Sequence, residues 1–214
     1  MSHLVIALDG PAASGKGTLA RKLAKHFNLA LLDTGALYRA VGWSVLNDGG
    51  DPTSEKDAVK AAKNMGNIDL SNRELRTESI GAAASKVASM PAVRQLLVDF
   101  QRTFADNPPK DKDGTILDGR DIGTVICPDA QVKIFITAEV ETRAKRRFLE
   151  EFGPKGTDQQ YLNILADLKA RDERDMTRST SPLKLAENAH LIDTTNSDIE
   201  AVFEATRKYV SSVA

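Results

Sequence analysis

The sequence predicts an α/β protein built on a five-stranded parallel sheet flanked by helices. Three observations carry that expectation. Short apolar runs alternate with longer stretches of helical spacing along most of the chain. Three of the five runs end in aspartate (Asp33, Asp118 and Asp193), and parallel sheets gather binding residues at strand C-terminal ends. A glycine-rich turn, Gly10-Pro-Ala-Ala-Ser-Gly-Lys-Gly-Thr18, follows the first run and opens into a helical stretch. Strand, glycine-rich turn and helix in that order are the context in which a Gly-x4-Gly-Lys match marks a phosphate site.

The elements follow in order. Residues 4–8 form the first strand, and Leu19, Leu23 and Phe27 carry the spacing of the first helix. Residues 30–33 are a short buried strand, broken at Asp33-Thr-Gly35. Residues 36–46 read as a helix, which the Asp-Gly-Gly-Asp-Pro turn at 48–52 ends. From 54 to about 104 the text is helical and alanine-rich, with Pro91 opening a new helix whose apolar face is Val93, Leu96, Leu97 and Phe100. Residues 106–114 are polar and contain proline, hence a loop. Strands follow at 115–118 and 132–137. A basic helix at 139–152 breaks at Gly153-Pro154, and a second helix at 158–176 ends before Ser181-Pro182. A fifth strand at 189–193 and a helix at 197–211, with Ser197 as its N-cap, close the chain.

Bulk composition narrows the function. The 214 residues fit one domain of ordinary size, with room for an inserted lobe. With 29 basic and 30 acidic residues the net charge is −1, which does not point to nucleic acid or a membrane surface. A single cysteine, Cys127, rules out an intramolecular disulfide framework and fits a reducing compartment. The N-terminus has no signal-peptide pattern, and no apolar stretch approaches the roughly 18 residues needed to span a bilayer. A cytoplasmic protein without nucleic-acid or membrane partners is expected.

Four stretches carry chemistry. In the glycine-rich turn, Gly10, Ala13, Ser14, Gly15, Lys16, Gly17 and Thr18 can aim backbone N–H groups at one anion, with Lys16 reaching the outer phosphates. In Leu32-Asp-Thr-Gly-Ala-Leu-Tyr-Arg39, Gly35 and Arg39 share a helix face. Arg39 can therefore turn to a phosphate, while Thr34 and Tyr38 suit a sugar. In Asp118-Gly-Arg-Asp-Ile-Gly-Thr124, Asp118 suits a Mg²⁺-bound water, Arg120 a phosphate and Asp121 a base. A charged β-turn is the plainer alternative there. Lastly, six of the 14 arginines fall between Arg143 and Arg178, against roughly two or three for even spacing. Arg143, Arg146 and Arg147 share one helix face, and Arg171, Asp175 and Arg178 another, which read as a flap over polyphosphate. A solvated helix pair stitched by Glu–Arg pairs fits the same arginines equally well when they are taken alone.

The motifs in this order resemble bacterial cytidylate (CMP) kinases, nucleoside monophosphate kinases of the P-loop class. The resemblance rests on the Gly-Lys-Gly-Thr ending of the loop, Asp-Thr-Gly-Ala-Leu-Tyr-Arg, Ser85-Lys-Val-Ala with Pro91-x-Val-Arg94, Asp-Gly-Arg-Asp-Ile-Gly-Thr and Arg-Asp-Glu-Arg-Asp-x-x-Arg. It implies one kinase domain over 1–214, with its sheet core in 1–38, 106–142 and 179–214. A mostly helical monophosphate-binding lobe would occupy 39–105, and an arginine-rich lid with its flanking helices 143–178. It implies phosphoryl transfer from ATP to CMP or dCMP with Mg²⁺ held at Thr18 and, through water, Asp118. Ser85, Arg94 and Asp121 would meet the cytosine, and Thr34, Arg171 and Asp175 the sugar beside Tyr38. Arg39, Arg120 and Arg178 would bind the acceptor phosphate, and Lys16, Arg120, Arg147 and Arg178 would be catalytic. Between Asn67 and Ile80 the chain is shorter than the family pattern, so that lobe should be nearly all helical. A monomer is expected. The alternatives are an adenylate- or shikimate-type kinase, against which the downstream motifs stand, and a nucleotide switch. The latter would need a guanine-reading Asn-Lys-x-Asp, which the chain lacks.

Overall fold

A computed structural model describes residues 3–64, 70 and 72–213. Five strands run parallel: β1 (Leu4–Asp9), β2 (Leu29–Asp33), β3 (Gly114–Gly119), β4 (Val132–Thr137) and β5 (His190–Asp193). Their order across the sheet is β2-β3-β1-β4-β5. The chain leaves β1 toward one edge and later returns past it to the other. The gap between the C-terminal ends of β1 and β3 is therefore the switch point where an open α/β sheet takes its ligand.

Alternation along the strands divides two hydrophobic clusters. Ile6, Leu8, Ile116, Ile134 and Ile136 face α1 (Lys16–His26) and α8 (Ile199–Val213), meeting Leu19, Leu23, Val202 and Val210. Ala7, Leu32 and Leu117 face the other way, toward α2 (Thr34–Asn47), α3 (Glu55–Lys63), α4 (Glu78–Val87) and α5 (Pro91–Asp106). Strands covered on both faces read as continuous apolar runs, which is why β1 and β3 carry almost nothing polar before their terminal aspartates. A smaller cluster of Ala12, Ala144, Ile164 and Leu168 seats α6 (Val140–Phe152) and α7 (Asp158–Thr177) on the phosphate turn.

All five expected strands form, with ends shifted by one residue or none at most positions. Two helix starts differ from expectation by two residues. Helix α2 begins at Thr34 rather than 36, because the Asp33 carboxylate that ends β2 also accepts from Ala36 N at 3.1 Å. Strand passes into helix without a loop. Helix α8 is capped by Asp198, which accepts from Ala201 N at 2.8 Å, rather than by Ser197. The long helical stretch from 54 resolves into α3, a 3₁₀ turn at Arg73–Arg76, α4 and α5. The expected shortening between 67 and 80 falls partly outside the described residues. A single π-helical turn, Ile122–Ile126, follows β3 and has no counterpart in the sequence reading. No helix among the described residues is long and apolar enough to cross a membrane.

β3 sits hard against β1 at its start. A Cβ on Gly114 would stand 2.0 Å from the Leu4 carbonyl oxygen, in a register where Leu4 and Gly114 are partners. Gly114→Ala should therefore lower unfolding free energy by on the order of 1–3 kcal/mol, the usual cost of overpacking. Urea unfolding with an unchanged slope would show it.

Candidate active site

The phosphate turn opens with Gly10, whose φ of 146° is closed to other residues and whose added Cβ would lie 1.9 Å from Ile136 O. Gly10 is thus the bend that opens the turn and does not line the cavity that Ala13 to Thr18 face. The turn is braced from inside: Ser14 Oγ and Lys16 Nζ donate to Pro11 O at 3.1 and 2.7 Å. Thr18 is exposed, and its Oγ1 accepts from Arg21 at 3.1 Å.

The cavity that this turn borders is about 450 Å³ and lies at the ends of β1, β2 and β3. Apart from Gly10, Arg143 and Asp193, every residue singled out from the sequence as a binding or catalytic candidate lines it. Nine basic side chains face it against five acidic ones, in a chain whose net charge is −1. Six buried polar atoms on its wall have no hydrogen-bond partner: Tyr38 Oη, Ser85 Oγ and nitrogens of Arg39, Arg94, Arg171 and Arg178. Buried polar groups are almost always satisfied. Concentrating unsatisfied donors in one positively charged cavity marks it as built around an absent anion.

Individual placements sharpen this. Arg39 folds back on Asp33 at 2.6 Å, across the space that Gly35 leaves open. Arg120 Nε donates to Asp175 at 3.0 Å, and its Nη1 to Gly119 O. Arg94 is buried and ion-paired with Asp121, and it lies over the Tyr38 ring at 5.6 Å. Arg178 stands just past α7, with Nε donating to Ser181 O and Nη2 3.9 Å from Asp121. Thr34 gives its hydroxyl proton to Asp118 O at 2.9 Å, so it meets the cavity only as an acceptor.

The arginines of α6 divide by role, which corrects the reading of Arg143, Arg146 and Arg147 as one gripping face. Arg143 is buried and donates to Ala138 O, Ala12 O and Asp172, bracing α6 and α7 against the phosphate turn. Arg146 donates to Thr194 and so holds the loop after β5. Arg147 is the one of the three without a structural bond, its nearest partner being Glu151 at 3.8 Å.

Electrostatics follow from crowding. Burial, reinforced by the charge of Arg120, pushes the Lys16 ammonium down to about 7, although Asp118 and Asp9 oppose the shift. Burial and Arg120 likewise lower Arg171 to about 10. Burial raises Asp118 despite Lys16. Burial would also raise Asp175, but Arg120, Arg171 and Arg178 together outweigh it and hold that carboxyl below its usual range. Burial lifts the Cys127 thiol to about 11, which leaves it inert.

Two features escaped the sequence reading. Asp9, at the end of β1, is buried and pushed up to about 7 by desolvation, against two backbone N–H groups that it accepts. A second cavity of about 330 Å³ adjoins the phosphate turn, between Gly15, Leu19, Ile136 and the Thr194–Val202 segment. No spacing signalled either one. Asp193, by contrast, ends β5 as an exposed turn residue bonded to Thr195 and takes no part in the site.

A phosphate turn at the switch point, bordering an arginine-lined cavity, defines a P-loop phosphotransferase. Comparison makes the assignment specific. The family model described as cytidylate kinase matches residues 6–212. A cytidylate kinase from Bartonella bacilliformis is 53% identical over 96% of this chain and 93% of its own length. One from Brucella suis is 51% identical over 98% and 94%. The chain belongs to the cytidylate kinase family. A solved shikimate kinase from Bacteroides thetaiotaomicron, 12% identical with a TM-score of 0.51 over 97% of this chain and 98% of its own, shares the fold.

Lys16 yields a test. Bound triphosphate would restore its ordinary, higher pKa, so the complex holds more protons than the free protein above pH 7. ATP affinity should then fall between pH 7 and 9 with uptake of up to one proton per site. Calorimetry in buffers of different ionisation enthalpy measures this, and Lys16→Met should abolish the uptake.

Proposed function

We propose that this chain transfers the γ-phosphate of ATP to CMP or dCMP, giving ADP and CDP or dCDP. The observation that carries the reading is the cavity itself, with its surplus of cations and unsatisfied donors beside a phosphate turn. An acceptor phosphate oxygen attacks the γ-phosphorus as the bond to the β–γ bridging oxygen breaks and ADP departs. The attacking oxygen is already anionic, so no general base is needed, and no histidine lines the cavity.

The chain's own work is to place two repelling anions in line and to neutralise the developing charge. Lys16 and the backbone N–H groups of Ala13 to Thr18 take the donor phosphates. Arg39, Arg120 and Arg178 take the acceptor phosphate, each with a planar fork suited to it. Arg147, unbraced on α6, completes the charge at transfer and excludes water with the lid. The apolar cavity by Leu19 and Val202 holds the donor's base. Asp175 and Arg171 bind the sugar, with Thr34 accepting from it.

Mg²⁺ suits the residues present. Asp118 is a buried carboxylate raised by desolvation, a charge that a hydrated dication would relieve. Among the described residues no group of three or more His, Cys, Asp or Glu forms a metal cage, so the nucleotide phosphates would supply most ligands. Asp118, through water, and Thr18 would hold the ion, which neutralises phosphate charge. In this reading the chain works as a monomer on cytoplasmic nucleotides.

Cytosine offers an amine where uracil has an oxygen. Asp121 accepts from that amine, and Ser85 and Arg94 donate to the remaining edge. Uracil would face Asp121 acceptor to acceptor, a mismatch worth on the order of 1–3 kcal/mol when buried. ADP release from Mg-ATP should therefore be faster with CMP than with UMP. Asp121→Ala should cut that preference by about tenfold, as one such mismatch implies. An unchanged ratio would remove Asp121 from the base site.

A further inference from the structure

The π-helical turn at Ile122–Ile126 starts where β3 leaves the sheet, and its first N–H groups have no partner in a preceding turn. Asp121 occupies its N-cap, the place from which an aspartate ordinarily accepts such a proton. Its side chain makes no capping bond. The carboxylate is turned away to Arg94 and Arg178. The N–H groups of Ile122 and Gly123 go to Asp9 instead, each at 2.8 Å, one to each carboxylate oxygen. Asp9 is 3% exposed and stands one residue before the phosphate turn.

We propose that Asp9 is a positioning residue for acceptor choice: by capping this turn from β1, it frees the Asp121 carboxylate to read the base. The inference rests on the reading of Asp121 given above. Without the Asp9 carboxylate, Asp121 is the residue placed to cap the turn, and a bond made there is withdrawn from Arg94. The donor side does not share this hydrogen-bond dependence, although the Asp9 charge bears on Lys16. The phosphate turn is braced by Pro11 O, by Arg143 on Ala12 O and by Thr194 on Ser14 O, none of which involves the Asp9 side chain. Two neighbouring binding sites thus rest on separate supports, and Asp9 belongs to the acceptor's.

Steady-state turnover of wild type and Asp9→Asn with CMP and with UMP, and with ATP varied, tests this. The amide oxygen of asparagine can accept one of the two N–H groups, but its NH₂ meets the other donor to donor. The CMP over UMP ratio of kcat/KM should fall by about fivefold or more, the scale of one lost hydrogen bond to a charged group, through a raised KM for CMP. KM for ATP should rise less than KM for CMP, since Asp9 reaches the donor side only through its charge on Lys16. Gly114→Ala, destabilised on the same sheet, should leave the ratio unchanged. Should Asp9→Asn not fold, Asp9→Glu displaces the turn with a longer arm and should lower the ratio by about twofold or more. An unchanged ratio in the Asp9 variants, or an equal loss for CMP and UMP with a raised KM for ATP, overturns the inference. A wild type that does not prefer CMP overturns the reading of Asp121 instead.

Discussion

Buried like charge is the constraint on which the rest of this structure depends. Lys16, Arg120 and Arg171 lie close enough, and deep enough, that Arg120 and Arg171 weaken the hold of Lys16 on its proton and Arg120 weakens that of Arg171. Left alone, such a cluster would cost several kcal/mol per ion. Asp118 and Asp175 offset part of it, and the remainder is left for phosphate. The orphaned donors on Arg39, Arg171 and Arg178 express the same fact in hydrogen bonds. A site satisfied without its ligand would have little left with which to bind one.

The fold makes that concentration possible. Parallel strands bring the ends of β1, β2 and β3 into one row, so Asp9, Asp33 and Asp118 arrive together from distant parts of the chain. Asp33 and Asp118 are register partners, as are Leu8 and Asp118. The helices then divide the labour. α1 brings its N-terminus to the cavity, α2 and α5 carry Arg39 and Arg94 to its wall, and α7 brings Arg171 and Asp175. Arg143, by tying α6 and α7 to Ala12, sets the arginine-rich hairpin directly on the phosphate turn rather than leaving it to swing from its base.

How much of this was legible in the sequence depended on whether the cause was local. Strands announced themselves because burial on both faces leaves an unbroken apolar run, as in residues 4–8. The phosphate turn was legible because glycine spacing is itself the mechanism. Arg39, Arg120 and Asp121 were legible because each sits beside a strand end within a short motif. Asp9 was not, since its partners Ile122 and Gly123 lie more than a hundred residues away. An aspartate ending an apolar strand looks the same whether it caps, binds or idles, and Asp193 idles. The split among Arg143, Arg146 and Arg147 was equally hidden. Helical spacing places three side chains on one face, but only the packing of α7 and the loop after β5 decides which of them is consumed.

The central claim is that two adjoining cavities hold the two nucleotides, with their phosphates meeting over Lys16. Calorimetric titration with a single molecule that joins cytidine to adenosine, 5′ to 5′, through five phosphates tests it most directly. One molecule should bind per chain, about 10²- to 10⁴-fold more tightly than ATP or CMP alone, because each end raises the effective concentration of the other. Binding no tighter than that of ATP would contradict the claim, since it would mean that the two pockets do not face each other across a common phosphate path.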